Sequence, residues 1–180
     1  MNSEYANQNA YDAISIHGGS GFIMEYTCQR LYRDARIFSI YEGTTQLQVV
    51  AAARYIWNGT YLGIINEMLQ QEVSDVLKPL QARIAKLTET YAECVNLVKD
   101  SGNQEMQDFL ARRLYDCTGD LIMSLLILDD ATRAPELFQS SAIVYVNAAE
   151  EDITGKCQYI KNFNPENIGN FRATEKVEEA

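Results

Sequence analysis

Ser15-Ile16-His17-Gly18-Gly19-Ser20-Gly21-Phe22, Arg33-Asp34-Ala35-Arg36 and Tyr41-Glu42-Gly43-Thr44-Thr45-Gln46 punctuate the first third of a chain of 180 residues. Between these groups the apolar spacing is helical. Ala6, Ala10, Ala13 and Ile14 share one face of a first helix, which the pair Gly18-Gly19 interrupts. A second helix is expected from about Gly21 to Ile37 and a third from about Thr44 to Trp57, where Asn58-Gly59 supplies a stop. Residues 1–57 therefore read as three helices.

A different pattern begins beyond Gly59. Ile64, Ile65, Met68 and Leu69 mark a short helix. Leu77, Leu80, Ile84, Leu87, Tyr91, Cys94 and Val98 then recur at spacings of three and four, the seam by which one helix packs along another. Pro79 suits the first turn of that helix, where its missing N–H costs little. After the turn Ser101-Gly102-Asn103, the residues Met106, Leu110, Cys117, Leu121, Leu125 and Leu128 continue in a long helix that ends near Arg133-Ala134-Pro135. A last helix is expected from Pro135 to about Tyr159, with Phe138, Ala142, Tyr145 and Ala149 on its inner stripe. Short turns between long helices favour antiparallel neighbours. The fold class is accordingly all-α, with antiparallel helical bundles over residues 1–57 and 60–163. Residues 164–180, polar and poor in aliphatics, are expected to form a disordered tail.

Composition narrows the function. The chain is 47% apolar, enough for one or two modest cores, and has no apolar run long enough to span a bilayer. Its formal net charge is −10. Residues 1–57 contain four arginines (30, 33, 36, 54) and five acids (4, 12, 25, 34, 42), a balance of −1 that leaves −9 for the remainder. Such a field repels phosphate backbones and anionic lipid, which argues against nucleic-acid and membrane roles. Met1-Asn2-Ser3-Glu4 shows neither a basic nor an apolar leader region. Cys28, Cys94, Cys117 and Cys157 form no C-x-x-C pair, so reduced thiols and a cytoplasmic location are expected.

Few residues invite chemistry. Glu42 lies between Ile37-Phe38-Ser39-Ile40-Tyr41 and the helix start at Gly43-Thr44. Apolar neighbours raise a carboxyl pKa and make it a better base near neutrality. On spacing alone, Glu42 equally suits a carboxylate that complements a helix dipole. Thr44 and Gln46 read alone as a helix cap and a solvated side chain, and Gly18-Gly19-Ser20-Gly21 as a tight turn. No strand precedes those glycines, and they lack dinucleotide-fingerprint spacing. His17 is the only histidine, so a paired Glu-x-x-His di-metal site is excluded and no metal site is expected. Arg30, Arg33 and Arg36 share a helix with Asp34 and read as surface or interhelical ion pairs, with an arginine beside a cofactor phosphate as the alternative, while Asp129-Asp130 and Glu150-Glu151-Asp152 read as solvated faces.

Taken together, the glycine turn, the Arg-Asp-Ala triplet and Tyr41-Glu42-Gly43-Thr44-x-Gln46 resemble the C-terminal helical domain of acyl-CoA dehydrogenases. These flavoenzymes oxidise the Cα–Cβ bond of acyl-CoA thioesters. The resemblance covers about the first third of the chain and rests on several separate motif positions. It implies FAD as cofactor, acyl-CoA as substrate, an electron-transferring flavoprotein as acceptor and a homo-oligomer. Carried onto this chain, it makes Glu42 the base that removes the α-proton. Tyr41 and Gly43 fall at the thioester end of the substrate, and Gly18, Gly19, Thr44 and Gln46 at the flavin. Ser15 stands where the family usually has glutamine and is too short for the same amide contact. Family members carry several hundred residues before this motif, whereas Met1 stands just upstream of it here. The expectation is a C-terminal fragment followed by a helical extension, inactive by itself. The second reading is a non-catalytic packing or oligomerisation module.

Overall fold

A computed structural model describes residues 2–41 and 43–171. Among them every regular element is helical, in agreement with the all-α reading. The chain divides into two compact units, Met1–Ala51 and Ala52–Ala180, with the boundary inside one helix.

In the first unit, α1 runs Asn2–His17, α2 is a single turn at Gly19–Phe22, and α3 spans Thr27–Ile37. The helix expected from Gly21 to Ile37 is thus broken. Ile23 is extended and Tyr26 has β geometry, which turns the chain before α3 starts. Gly21 is buried where α2 meets α1, and a Cβ there would lie 2.7 Å from the Ile14 carbonyl oxygen, so only glycine fits. α1 and α3 lie antiparallel, since Asn7 meets Ala35 and Tyr11 meets Tyr32. The Asn7 amide donates to the carbonyls of Ser3 at 2.6 Å and Ala35 at 2.9 Å, tying the two helices together. The rings of Tyr11 and Tyr32 are tilted, 6.3 Å apart.

Helix α4, Thr45–Trp57, begins in this unit. Among the unit's described residues only Gly21, Ala35 and Val49 are buried. Ile16, Phe22 and Met24 remain 83%, 78% and 85% exposed, a large apolar surface for so few residues.

The second unit has a conventional core. After α5 (Thr60–Met68) come three long helices, α6 (Lys78–Asp100), α7 (Gln104–Arg133) and α8 (Pro135–Lys161). Pro79 and Pro135 occupy first turns, and the Asn103 side chain caps α7 by accepting from the Met106 N–H at 3.0 Å. Contacts between α6 and α8 advance together: Arg83 with Asn147 and Glu150, Cys94 with Cys157, Glu93 with Lys161. These two helices are therefore parallel, with α7 antiparallel to both, an up-down-up bundle.

The α6 seam is buried as its spacing predicts, from Leu77 through Ile84 and Tyr91 to Val98. The α8 stripe differs from expectation. Ala142 and Ala149 are buried, but the larger inner residues are Val146, Ile153, Cys157 and Ile160, and Phe138 is exposed. Short alanines fit either registration of that stripe, so the apolar residues further along decide it. A second correction concerns the expected tail. Pro165–Phe171 forms a 3₁₀ helix, because Ile168 is buried in the core and the Asn164 side chain accepts from the Glu166 N–H at 3.0 Å. The rest of that expected tail, residues 172–180, lies outside the described residues.

Polar groups in the core are all matched among the described residues. The Thr118 hydroxyl donates to the Leu114 carbonyl at 2.8 Å, so the Tyr91 hydroxyl, 2.7 Å away, donates to Thr118. Burial pushes the Tyr91 hydroxyl well above its ordinary range. Cys94, Cys117 and Cys157 are buried free thiols, one from each long helix. Cys94 is raised by hydrogen bonding with Cys157 and by burial. Cys157 is pushed from 9.0 up to about 12, mainly by hydrogen bonding with Cys117, with burial adding to the shift.

Two predictions follow from this core. Ile84 is fully buried, so Ile84→Ala should cost about 2–5 kcal/mol in denaturant unfolding. Leu137 is 67% exposed, and Leu137→Ala should stay within about 0.5 kcal/mol. Equal effects would mean that the core is misassigned. The second concerns pH. The raised folded-state pKa of Cys157 keeps its proton on in the native chain after the unfolded chain has lost it. Its contribution is complete below about pH 9 and is lost as pH rises toward 12. Urea midpoints should therefore fall steadily above pH 9. A Cys157→Ala variant should fall less steeply, and parallel curves would disprove the linkage.

Candidate functional site

Of the predicted site residues, Tyr41, Gly43, Thr44 and Gln46 lie between the end of α3 and the first turn of α4. From Phe38 onward the chain continues in turns, with the N–H groups of Ile40 and Tyr41 donating to the Ile37 carbonyl at 2.9 and 3.0 Å. It then reverses at Gly43, whose φ of +92° disfavours any residue with a Cβ. A Cβ at this position would meet only ordinary contacts with Leu47 and Gln48, so conformation rather than space demands the glycine. The Thr45 N–H donates back to the Ser39 carbonyl at 3.3 Å and closes the loop.

Beside this loop lies an open cleft of ≈ 570 Å³, wholly within the first unit. Thr44 and Gln46 line it, so two of the four residues expected at the flavin face the same space. Tyr11 and Tyr32 form an aromatic wall, and Arg36 and Ser39 complete the α3 side. Glu4 and Arg36 are the charged residues of the lining. The lining is otherwise hydroxyl, phenol and amide, with Ile40 as its aliphatic residue.

The remaining predicted residues that the structure describes do not line this cleft. Gly18 and Gly19 sit in the turn after α1, with open space where a Cβ would be. Tyr41 is half exposed and its ring tilts against Phe38 at 6.1 Å. Glu42 lies outside the described residues. Ser15 turns back on its own helix and donates to the Tyr11 carbonyl at 3.3 Å. The His17 Nδ1–H donates to the Ala13 carbonyl at 2.9 Å, which gives that ring a local helix-end role. No cluster with the composition of a metal site occurs among the described residues.

Sequence reasoning missed Tyr11, Tyr32 and Ser39, and left Arg36 between an ion pair and a contact to a cofactor phosphate. The structure shows Arg36 donating to the Ser39 hydroxyl. The spacing of three between these residues on a helix end was a usable signal. Tyr11 and Tyr32 carried none, because only the antiparallel packing of α1 on α3 brings them together.

Residues 57–168 match the family model described as acyl-CoA dehydrogenase C terminal, and residues 1–56 match the one described as acyl-CoA dehydrogenase, C-terminal domain. The chain belongs to the acyl-CoA dehydrogenase family. Curated relatives include the caffeyl-CoA reductase–Etf complex subunit CarC of Acetobacterium woodii, 54% identical over 46 residues, which are 26% of this chain and 12% of that protein. The 3-(aryl)acrylate reductase of Clostridium sporogenes is 49% identical over 51 residues, 28% of this chain and 14% of the relative. This chain thus spans only a small part of the curated relatives it matches. An acyl-CoA dehydrogenase family protein from Porphyromonas gingivalis, solved as a crystal structure, superposes with a TM-score of 0.60 at 31% identity. That match covers 64% of this chain and 99% of the other. Membership in the acyl-CoA dehydrogenase family thus extends over both units.

Proposed function

We propose that this chain is the C-terminal part of a flavin-dependent acyl-CoA dehydrogenase and is inactive by itself. The observation that carries the proposal is the run Tyr41-Glu42-Gly43-Thr44-Thr45-Gln46 in a chain of this family, with Thr44 and Gln46 lining one cleft. The Glu42 carboxylate would take the α-proton of the thioester, a proton made acidic by the adjacent carbonyl. A general base of this kind contributes about 10²–10⁴-fold. Gly43 and Tyr41 would meet the thioester end of the acyl-CoA.

The cleft residues suit FAD in part. The Thr44 hydroxyl and the Gln46 amide offer neutral hydrogen bonds and the two tyrosines an aromatic wall, while the Arg36 guanidinium and the Glu4 carboxylate balance in charge across the lining. Gly18 and Gly19 present open backbone for a further contact. When bound, the flavin supplies the acceptor for the hydrogen that leaves the β-carbon with its electron pair. Thr44, Gln46 and the glycines serve only to hold and orient it. An electron-transferring flavoprotein as final acceptor is in keeping with the naming of one relative as a subunit of an Etf complex.

A second reading, a packing or oligomerisation module, draws support from the exposed Ile16, Phe22 and Met24 of the first unit. A homo-oligomer would cover such side chains. Both readings agree that chemistry needs more protein than this chain contains, since a base works only on a positioned substrate.

Two measurements test the proposal. The 180-residue chain mixed with FAD should emerge from gel filtration without visible flavin absorbance; retained flavin would show that the chain forms a cofactor site unaided. In the full-length enzyme, Glu42→Gln keeps the side-chain shape but removes the base. Flavin and acyl-CoA should still bind, while anaerobic flavin bleaching by acyl-CoA should slow about 10²–10⁴-fold or more. Bleaching at the parent rate would place the base elsewhere.

A further inference from the structure

The passage from α3 into α4 is secured at one serine with four connections, the first being its own N–H, which donates to the Arg36 carbonyl at 3.4 Å. The Arg36 guanidinium donates to the Ser39 hydroxyl, and that hydroxyl donates to the Arg36 carbonyl at 3.2 Å. The carbonyl of the same Ser39 accepts the Thr45 N–H at 3.3 Å, across the reversal at Gly43. Serine back-bonds of this kind are common at helix ends and by themselves only cap the helix. Here the capped residue also satisfies the first N–H of the next helix, one of four that a helix leaves without an internal partner. The end of α3 and the start of α4 are therefore linked through Ser39. Arg36 and Ser39 also line the same cleft as Thr44 and Gln46.

We propose that Arg36 and Ser39 are positioning residues, a clasp that fixes the start of α4 and so sets where Thr44 and Gln46 stand in the cleft. The inference rests on the reading of Thr44 and Gln46 as flavin contacts. Its structural half is independent of that reading. Ser39 lies in the turn just beyond the end of α3, and α3 is held to α1 by the Asn7 amide. The clasp thus adds side-chain ties to the backbone bonds by which Ser39, Ile40 and Tyr41 continue from the end of α3. Loss of either clasp residue removes a tie that holds the Ser39 carbonyl toward Thr45.

Arg36→Met keeps the aliphatic stem and removes the donors, Arg36→Lys restores one donor, and Ser39→Ala removes the hydroxyl. In the 180-residue chain, amide exchange at Thr45 should speed about tenfold or more in Arg36→Met and Ser39→Ala, and Arg36→Lys should recover part of the protection. Circular dichroism should stay at the parent helix content. In the full-length enzyme, the flavin dissociation constant should rise about tenfold in the same two variants, with partial recovery in Arg36→Lys. Unchanged Thr45 exchange overturns the clasp whatever happens to flavin. Faster exchange with unchanged flavin affinity overturns the positioning role. Gln46→Leu separates that outcome from failure of the functional reading: if it too leaves flavin affinity unchanged, Gln46 is not a flavin contact.

Discussion

Helix α7 has to be covered on nearly every side along its length. Its buried residues run from Met106 to Ala131, and α5, α6, α8 and the 3₁₀ helix at Pro165–Phe171 all pack against it. In a folded protein most of a helix's stability comes from packing an apolar face rather than from its own backbone bonds. The rest of the second unit follows from that requirement. α6 supplies Ile84, Tyr91 and Val98, and α8 supplies Val146, Ile153 and Ile160. Ile168 adds a last apolar contact beyond the long helices. The buried Asp120 of α7 is accepted at this depth because Tyr145 donates to it at 3.4 Å and Lys156 lies 4.0 Å away.

The first unit meets no comparable constraint. α1 has no buried residue, and its attachment to α3 relies on the Asn7 amide and a tyrosine pair. Fully covering one large apolar side chain is worth about 1.5–3 kcal/mol. Ile16, Phe22 and Met24 make almost none of that gain within this chain. The two units thus differ in kind. One is a closed core, and the other is an open surface with a polar cleft at the end of α3.

Local periodicity explains which parts were legible in the sequence. The α6 seam was readable because each large apolar residue repeats at three or four and nothing competes with it. The α8 stripe was misread at Phe138 because Ala142 and Ala149 are compatible with two registrations. The break before Thr27 was invisible, since no proline or glycine occupies residues 23–26 and the chain turns there through extended backbone. Tail residues 165–171 looked disordered by composition, yet one isoleucine is enough to dock them. At the candidate site, the family resemblance pointed to Thr44 and Gln46, which are close in sequence and line one cleft. It could not reach Tyr11, because that wall of the cleft exists only once α1 lies against α3.

The bundle geometry has an electrostatic consequence for the second unit. Basic residues occupy the last turns of all three long helices, at Lys99, Arg133 and Lys161, where they oppose the partial negative charge of a helix C-terminus. Glu105 and Glu136 stand in first turns, where the sign is reversed. Other cations are held in place by carboxylates: Arg83 by Glu150, Arg112 by Asp116, Lys156 by Asp152. Arg113 lies over the rings of Phe109 and Tyr159. These cations sit beside opposite charge, and the acids of this unit remain in excess, so an approaching anion meets net repulsion there.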